Sequence, residues 1–401
     1  MKIVIYGINY SPELTGIGKY TGEMSEWMAK RGANIKVITA PPYYPQWEIH
    51  EGFKNKYSNS YEENINIIRC PIYVPSKLNS LKRILHLLSF QITSFVPLLR
   101  SIIWRPDVVI LVVPTLFCAF QTIVLTKLFG IKSLIHIQDF EVDAVFGLNM
   151  VNSNNLKKLT LFIETKLLNG FDFVSTISHG MLSKALNKGV HKSKLIYFPN
   201  WSEVDMFINA KEDRRFFFNS PEHYSRKIIL YSGNIGEKQG LENILYAAKQ
   251  LESLKDLFFI IIGEGAAKKS LQLEAKSLNI KNLRFLGLQP YKDLPNILAT
   301  ADCHLVVQKK GVADAVLPSK LTNILSVGGN AVITAEEETY LGKLCENNQG
   351  IAILVKPESV QALKDGILRA ISMEKPNLIA KQYALDNLDK QKVLSRFFNK
   401  L

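Results

Sequence analysis

Short, mostly apolar runs recur along this chain, and small or glycine-rich residues tend to follow them before a segment of helical spacing. Ile3–Tyr6, Ile35–Thr39, Val108–Val113, Ser133–Ile137 and Phe173–Ile177 are such runs in the first half. A strand apolar on both faces must be covered by helices on both sides, so the rhythm predicts an α/β fold with parallel sheets. At 401 residues the chain exceeds one comfortable core and suits two domains. The expected division is residues 1–201, a charged linker over 202–226, a second domain over 227–377 and a terminal helical segment over 378–401.

In the first half, the loop SPELTGIGKY hands the first strand to a helix that carries Tyr20, Met24, Trp27 and Met28 on one face. Gly16 and Gly18 sit at that handover, where backbone approaches ligand in doubly wound sheets, although a tight turn needs the same residues. Residues 41–75, rich in Pro and aromatics, read as irregular: a functional loop or a surface flap. The Ser133–Ile137 strand ends in His136-Ile137-Gln138-Asp139, with Glu141 and Asp143 just beyond. Acidic groups at the carboxyl end of a parallel strand mark Asp139 as a site residue or a cap, and His136 as a weaker candidate.

The second half repeats the pattern. Strands from Ile228, Leu257 and Leu283 lead into Gly233 with the Asn234–Gly240 loop, into Gly263-Glu264-Gly265, and into Gly287-Leu288-Gln289-Pro290. A fourth strand, Cys303–Val307, feeds a loop of small residues and then a helix near Pro318, with Leu321, Ile324 and Leu325 at helical spacing and Gly328-Gly329 as its stop. Free backbone N–H groups at that helix start, with Lys320 one turn in, are what a diphosphate requires; an ordinary strand–loop–helix connection has the same look. Loops converging on one rim favour a nucleotide cleft.

The net charge of +13 calls for an anionic partner. The basic residues are scattered and no nucleic-acid motif accompanies them, which leaves anionic lipid or phosphorylated small molecules. The cysteines, Cys70, Cys118, Cys303 and Cys345, stand far apart, so neither a metal cluster nor a disulfide framework is expected. The chain opens directly on a strand, and no cleavable signal is expected. Val108–Leu125 lacks charge but contains Pro114, Thr115, Gln121 and Thr122, and reads as a buried strand and its continuation rather than a span. Leu78–Arg105 reads as one or two amphipathic helices with basic ends, which either pack on the sheet or sit in the surface of an anionic membrane.

The stretches YGINYSPELTGIGKYTGE, IHIQDFE, STISHGM, FPNWSE, YSGNIGEKQGLENIL, IIGEGAAKKSL and LPSKLTNILSVGGNAVIT together resemble the family-4 retaining glycosyltransferases. Within them the chain is most similar to the bacterial colanic-acid glycosyltransferases of exopolysaccharide assembly. The resemblance implies two facing Rossmann-like domains (the GT-B arrangement), a cleft between them and a C-terminal helix crossing back to the first. It places Gly16 and Gly18 beside the donor phosphates and acceptor. Gly233, Asn234 and Lys238 fall in the diphosphate-gripping loop, Gly263 and Gly265 in a turn under the nucleotide, and Gln289 by the base. The N–H groups of Ala315, Val316 and Leu317 join Lys238 and Lys320 in stabilising the leaving diphosphate, while Asp139 orients hydroxyls and His136 assists.

Three positions depart from the family. Asn323 and Ala315 stand where a pair of glutamates usually holds the ribose and the donor sugar, and Asn234 stands where an arginine is usual. Asp314 is the nearest replacement carboxylate. The resemblance implies a nucleotide-diphosphate sugar as substrate, leaning towards GDP-fucose, with no cofactor and no metal. It also implies a lipid-linked oligosaccharide acceptor at the inner face of an anionic membrane. A catalytically degenerate scaffold of a polysaccharide assembly and a sugar-nucleotide epimerase are the competing readings.

Overall fold

Strands β1 (Lys2–Tyr6), β2 (Asn34–Thr39), β3 (Ser58–Glu62), β4 (Ile65–Arg69), β5 (Val108–Val113), β6 (Lys132–Ile137), β7 (Phe173–Thr176) and β8 (Leu195–Tyr197) form one sheet in the order β3-β4-β2-β1-β5-β6-β7-β8. The computed structural model describes residues 1–13, 16–75, 80–138, 140, 154–310 and 318–401. They divide into a first unit, Met1–Pro199 with Leu394–Leu401, and a second, Asn200–Val393. In the first sheet every neighbour is parallel except the β3–β4 pair. β5 is buried along its whole length, as a central strand covered on both faces must be.

Among the described residues this unit has the helices α1 (Gly16–Lys30), α2 (Ser80–Ile103), α3 (Ala119–Phe129), α4 (Asn154–Gly170) and α5 (His179–Asn187). Right-handed crossovers put α1 on one face of the sheet and α2, α3 and α4 side by side on the other. α1 buries the predicted Tyr20, Met24, Trp27 and Met28. The uncharged run Val108–Leu125 is β5 followed by the start of α3. α2 is long and apolar enough to cross a membrane, but Leu87, Phe90, Leu98 and Ile102 bury one side of it within the unit.

The second unit has a six-stranded parallel sheet of β9 (Lys227–Ser232), β10 (Leu257–Ile262), β11 (Leu283–Leu286), β12 (Cys303–Val306), β13 (Ala331–Thr334) and β14 (Ile353–Val355), in the order β11-β10-β9-β12-β13-β14. Its helices are α6 (Val204–Ile208), α7 (Glu242–Gln250), α8 (Lys268–Ser277), α9 (Leu294–Thr300), α10 (Ser319–Val327), α11 (Tyr340–Asn347), α12 (Val360–Ile371) and α13 (Leu378–Asn387), with α14 (Lys390–Phe398) straddling the boundary.

Three expectations change. Residues 41–75 are not irregular throughout: β4 extends the sheet with Ile65 and Ile67 buried, and β3 returns antiparallel to it through a turn at Glu63, where φ is 50°. Residues 202–226 are not a free linker, because Val204, Phe207, Phe217 and Phe218 join the core of the second unit. Arg214 in the charged run pairs with buried Asp302 at 3.1 Å. Finally, residues 378–401 do not act as one segment. The small apolar side chains Ala380 and Ala384 of α13 pack into the second unit, and only Leu394–Leu401 belongs to the first. There Phe397 stacks on Phe198 at 3.7 Å and Phe398 lies edge-on to Trp27 at 5.9 Å.

Candidate functional site

β9 and β12 are neighbours whose onward connections run in opposite directions, β9 to β10 and β12 to β13. Ligands of open α/β sheets bind at the carboxyl ends of strands at such a switch point. The loop after β9 runs through Gly233, exposed Asn234 and buried Ile235 to a single 3-10 turn, Glu237–Gln239, that ends at Gly240. It is fastened to the neighbouring loop by backbone alone. Gly233 N–H donates to the Ile262 carbonyl at 3.0 Å, Ile235 N–H to Glu264 at 2.8 Å, and Ala267 N–H to Ile235 at 3.0 Å. Gly263 and Gly265 permit this approach with φ of 155° and 156°. A Cβ at Gly263 would overlap the Gly233 carbonyl oxygen, and one at Gly265 that of Ile235. The two glycines therefore serve contact between loops.

Lys320 closes this corner from α10. Its Nζ lies 4.4 Å from the centre of the Tyr231 ring and 3.4 Å from the Tyr231 hydroxyl, which itself donates to the Asn234 carbonyl at 2.6 Å. The lysine stem runs past Gly233, where an added Cβ would be 3.5 Å from Cδ. Desolvation pulls the ammonium down to about 8. No carboxylate among the described residues pairs with it. A poorly hydrated cation without a counter-ion, at a switch point, is suited to an anionic ligand whose charge grows during reaction.

The other second-unit candidates differ. Lys238 is exposed on the 3-10 turn, and its carbonyl accepts from Lys309 N–H at 3.0 Å. Gln289 is exposed and its Nε2 donates to the Gly287 carbonyl at 3.0 Å. Asn323 has its Oδ1 occupied by the Ser202 hydroxyl at 2.9 Å. Asp314, Ala315, Val316 and Leu317 lie outside the described residues, as do Asp139, Glu141 and Asp143. A cavity of about 360 Å³ opens between α7 and α8, but Glu237, Glu242 and Glu274 line it. Lys309 lines it too and pairs with Glu242 at 3.1 Å, which leaves Glu237 and Glu274 as an acidic surplus ill suited to a diphosphate.

In the first unit, the switch lies between β1 and β5, and Gly16 and Gly18 open α1 beside it. Beneath them is a residue that sequence reasoning missed. Glu13 is 2% exposed; its Oε1 accepts from Tyr43 and Tyr44 N–H at 3.2 and 3.1 Å, and its Oε2 from Asn9 Nδ2 at 3.0 Å. Burial raises its carboxyl above the ordinary range, against these hydrogen bonds. An added Cβ at Gly18 would overlap this carboxylate, so that glycine makes room for it. Arg69 fastens the same corner, donating to the Ala40 and Ser11 carbonyls at 2.9 and 2.7 Å. A lone carboxylate between a proline and a glycine loop was the available signal.

His136 is corrected. Its ring is buried between Ser175, whose hydroxyl meets Nδ1 at 2.9 Å, and Phe198 at 4.9 Å. Desolvation lowers its basicity to about 3, which leaves a neutral core imidazole. In a strand buried on both faces, the sequence does not show which residues point towards a ligand.

Two doubly wound units with glycine loops at their switch points are the architecture of the GT-B glycosyltransferases, and the likeness to solved structures agrees. Sucrose-phosphate synthase from Thermosynechococcus elongatus superposes with a TM-score of 0.73 over 99% of this chain and 97% of that one, at 14% identity. HepE from Anabaena, solved with UDP and glucose, gives 0.64 over 100% and 99%, at 13% identity. Residues 15–201 match the glycosyl transferase 4-like domain and residues 212–386 the glycosyl transferases group 1. The putative colanic acid biosynthesis glycosyl transferase WcaI of Escherichia coli K12 is 52% identical over 100% of this chain and 99% of its own. The chain belongs to this glycosyltransferase family.

Proposed function

We propose that the protein transfers a sugar from a nucleotide-diphosphate donor to a lipid-linked oligosaccharide, with retention, in assembly of a colanic-acid-like bacterial exopolysaccharide. Lys320 carries the reading. A partly desolvated cation with no carboxylate partner among the described residues, resting on the Gly233 loop, gains most from a ligand that leaves as a diphosphate. The full-length relative supplies the class of product. In the retaining course we favour, the acceptor hydroxyl attacks from the face of the departing diphosphate, which takes the hydroxyl proton. Lys320, with Lys238 at the rim, then holds the charge, and no flanking pair of carboxylates is required. Fucose is the donor sugar we favour, with the enzyme working at the cytoplasmic face of the membrane.

The Ser202–Asn323 bond supports a second reading. An uncharged amide whose oxygen already accepts one bond still has a lone pair to bind a ribose hydroxyl, but it is not the charged acceptor that the family uses there, as in a scaffold that binds donor without turning it over. Purified protein incubated with a panel of nucleotide sugars, with and without membrane lipid extract, separates the two. Acceptor-dependent nucleotide release from one donor, lost in Lys320→Ala, establishes transfer. Tight donor binding without release under every condition establishes the scaffold.

A further inference from the structure

α2 is apolar on two sides, where a helix lying on a sheet needs only one. Its inner side holds Phe90, 5.7 Å from the Tyr6 ring, with Leu98 and Ile102. Its outer side carries Leu81, Leu85, Ile92, Val96 and Ile103 at helical spacing, all exposed, Ile92 at 73%. α3 is reversed outright. Gln121, Thr122 and Thr126 point inward, where Gln121 Nε2 donates to the Tyr6 hydroxyl and the threonines bond carbonyls one turn back. Phe120, Val124 and Leu128 face outward, Leu128 at 75%. On α4, Phe162 and Ile163 are exposed as well.

These stripes adjoin. Gln121 Nε2 reaches the Gln91 carbonyl at 3.4 Å and links α3 to α2. Ile123 packs against Gly170 so closely that a Cβ there would stand 2.7 Å from its Cδ1, which links α3 to α4. Packing within the unit does not account for an outward apolar surface spread over three helices, and a surface of that kind marks an interaction site.

The charge pattern selects the occupant. Between Glu63 and Asp139 the sequence has Asp107 as its sole acid, and that carboxylate accepts from Lys2 N–H at 2.6 Å. Arg83, Arg100, Arg105 and Lys127 are exposed at the ends of α2 and α3. A rim of one sign only is complementary to an anionic partner. An apolar stripe flanked by cations alone matches acyl chains beneath anionic headgroups.

We propose that the α2–α3–α4 face lies in the surface of an anionic bilayer, with its helices in the membrane plane. This deepens the reading of a lipid-linked acceptor and rests on it for its purpose, while the surface is tested by itself. The full-length chain is floated with vesicles of phosphatidylcholine alone or mixed with phosphatidylglycerol, at low and high salt. Binding is expected with the mixed vesicles, about tenfold weaker in Ile92→Glu and in Leu128→Glu, as expected for one apolar side chain kept out of the bilayer. The pair Arg100→Glu with Lys127→Glu should weaken binding and flatten its salt dependence. Unchanged melting shows that these exposed changes leave the fold intact.

Equal retention by neutral vesicles, or no retention at all, overturns the proposal. So does a wild-type dimer that Ile92→Glu dissolves in sedimentation, which would give the face to a second copy. Nucleotide release with a detergent-dispersed acceptor, measured on the same samples, should not change in these variants. If no sample turns over donor while vesicle binding stands, the transferase reading fails and the surface remains.

Discussion

Each unit keeps one ionisable side chain under the glycine loop at its switch point, and the two are treated in opposite ways. Glu13 has donors on both oxygens, two backbone N–H groups and the Asn9 amide, although burial still holds its carboxyl above the ordinary range. Lys320 has a tyrosine ring, a hydroxyl at 3.4 Å and no carboxylate among the described residues. A buried group that the chain itself hydrogen-bonds on both oxygens is part of the architecture. One whose bonds are incomplete costs stability until something arrives to complete them. The difference separates a residue that shapes a loop from one held ready for a ligand.

The sharpest test of that contrast is Lys320→Ala, which should lower kcat/KM by about 10²–10³, as loss of a preorganised charge-stabilising group does. Steady-state nucleotide release measures it, and a loss under threefold would put Lys320 with the structural residues. Gly263→Ala comes next, because the new methyl must displace the Gly233 carbonyl. A loss of about 3 kcal/mol in chemical denaturation is expected. Glu13→Ala should cost about 2–3 kcal/mol by stranding the Tyr43 and Tyr44 N–H groups.

Lys320→Met should do the reverse. A lysine brought down to about 8 from its ordinary 10.5 destabilises the folded state at every pH below about 8, and the penalty fades as pH rises from 8 towards 10.5. At neutral pH the methionine variant should therefore be more stable, by about 1–2 kcal/mol, with the gain shrinking in alkaline buffer. The mildest test uses no mutation. If the protonated lysine binds donor, affinity should hold up to about pH 8 and then fall with rising pH, a trend absent in Lys320→Met.

These contrasts also show how far the sequence could be read. Val108–Val113 and Leu257–Ile262 announced themselves because a strand buried on both faces is apolar at every position. Ser58–Glu62 did not, since an exposed edge strand has no apolar pattern and is held by its partner alone. Phe207, Phe217 and Phe218 were hidden among charges that suggested a linker. Lys320 drew attention from its place one turn into a helix after a strand, whereas its having no carboxylate partner among the described residues is a fact of three dimensions. Glu13 was missed for the same reason, and His136 was misplaced because strand order does not disclose which side chains face inward. Gly263 and Gly265 stood out as a turn after a strand, but the neighbouring backbone that requires them was not visible in one dimension.

The membership of Leu394–Leu401 in the first unit has a consequence for biosynthesis. A nascent chain that has released residues 1–199 from the ribosome still lacks the rings that cover Phe198 and Trp27. That half must wait, incompletely sealed, while the whole second unit is translated. Chaperone occupancy should therefore persist on the early half until residues 394–401 emerge, and a chain stopped at Val393 should remain a client.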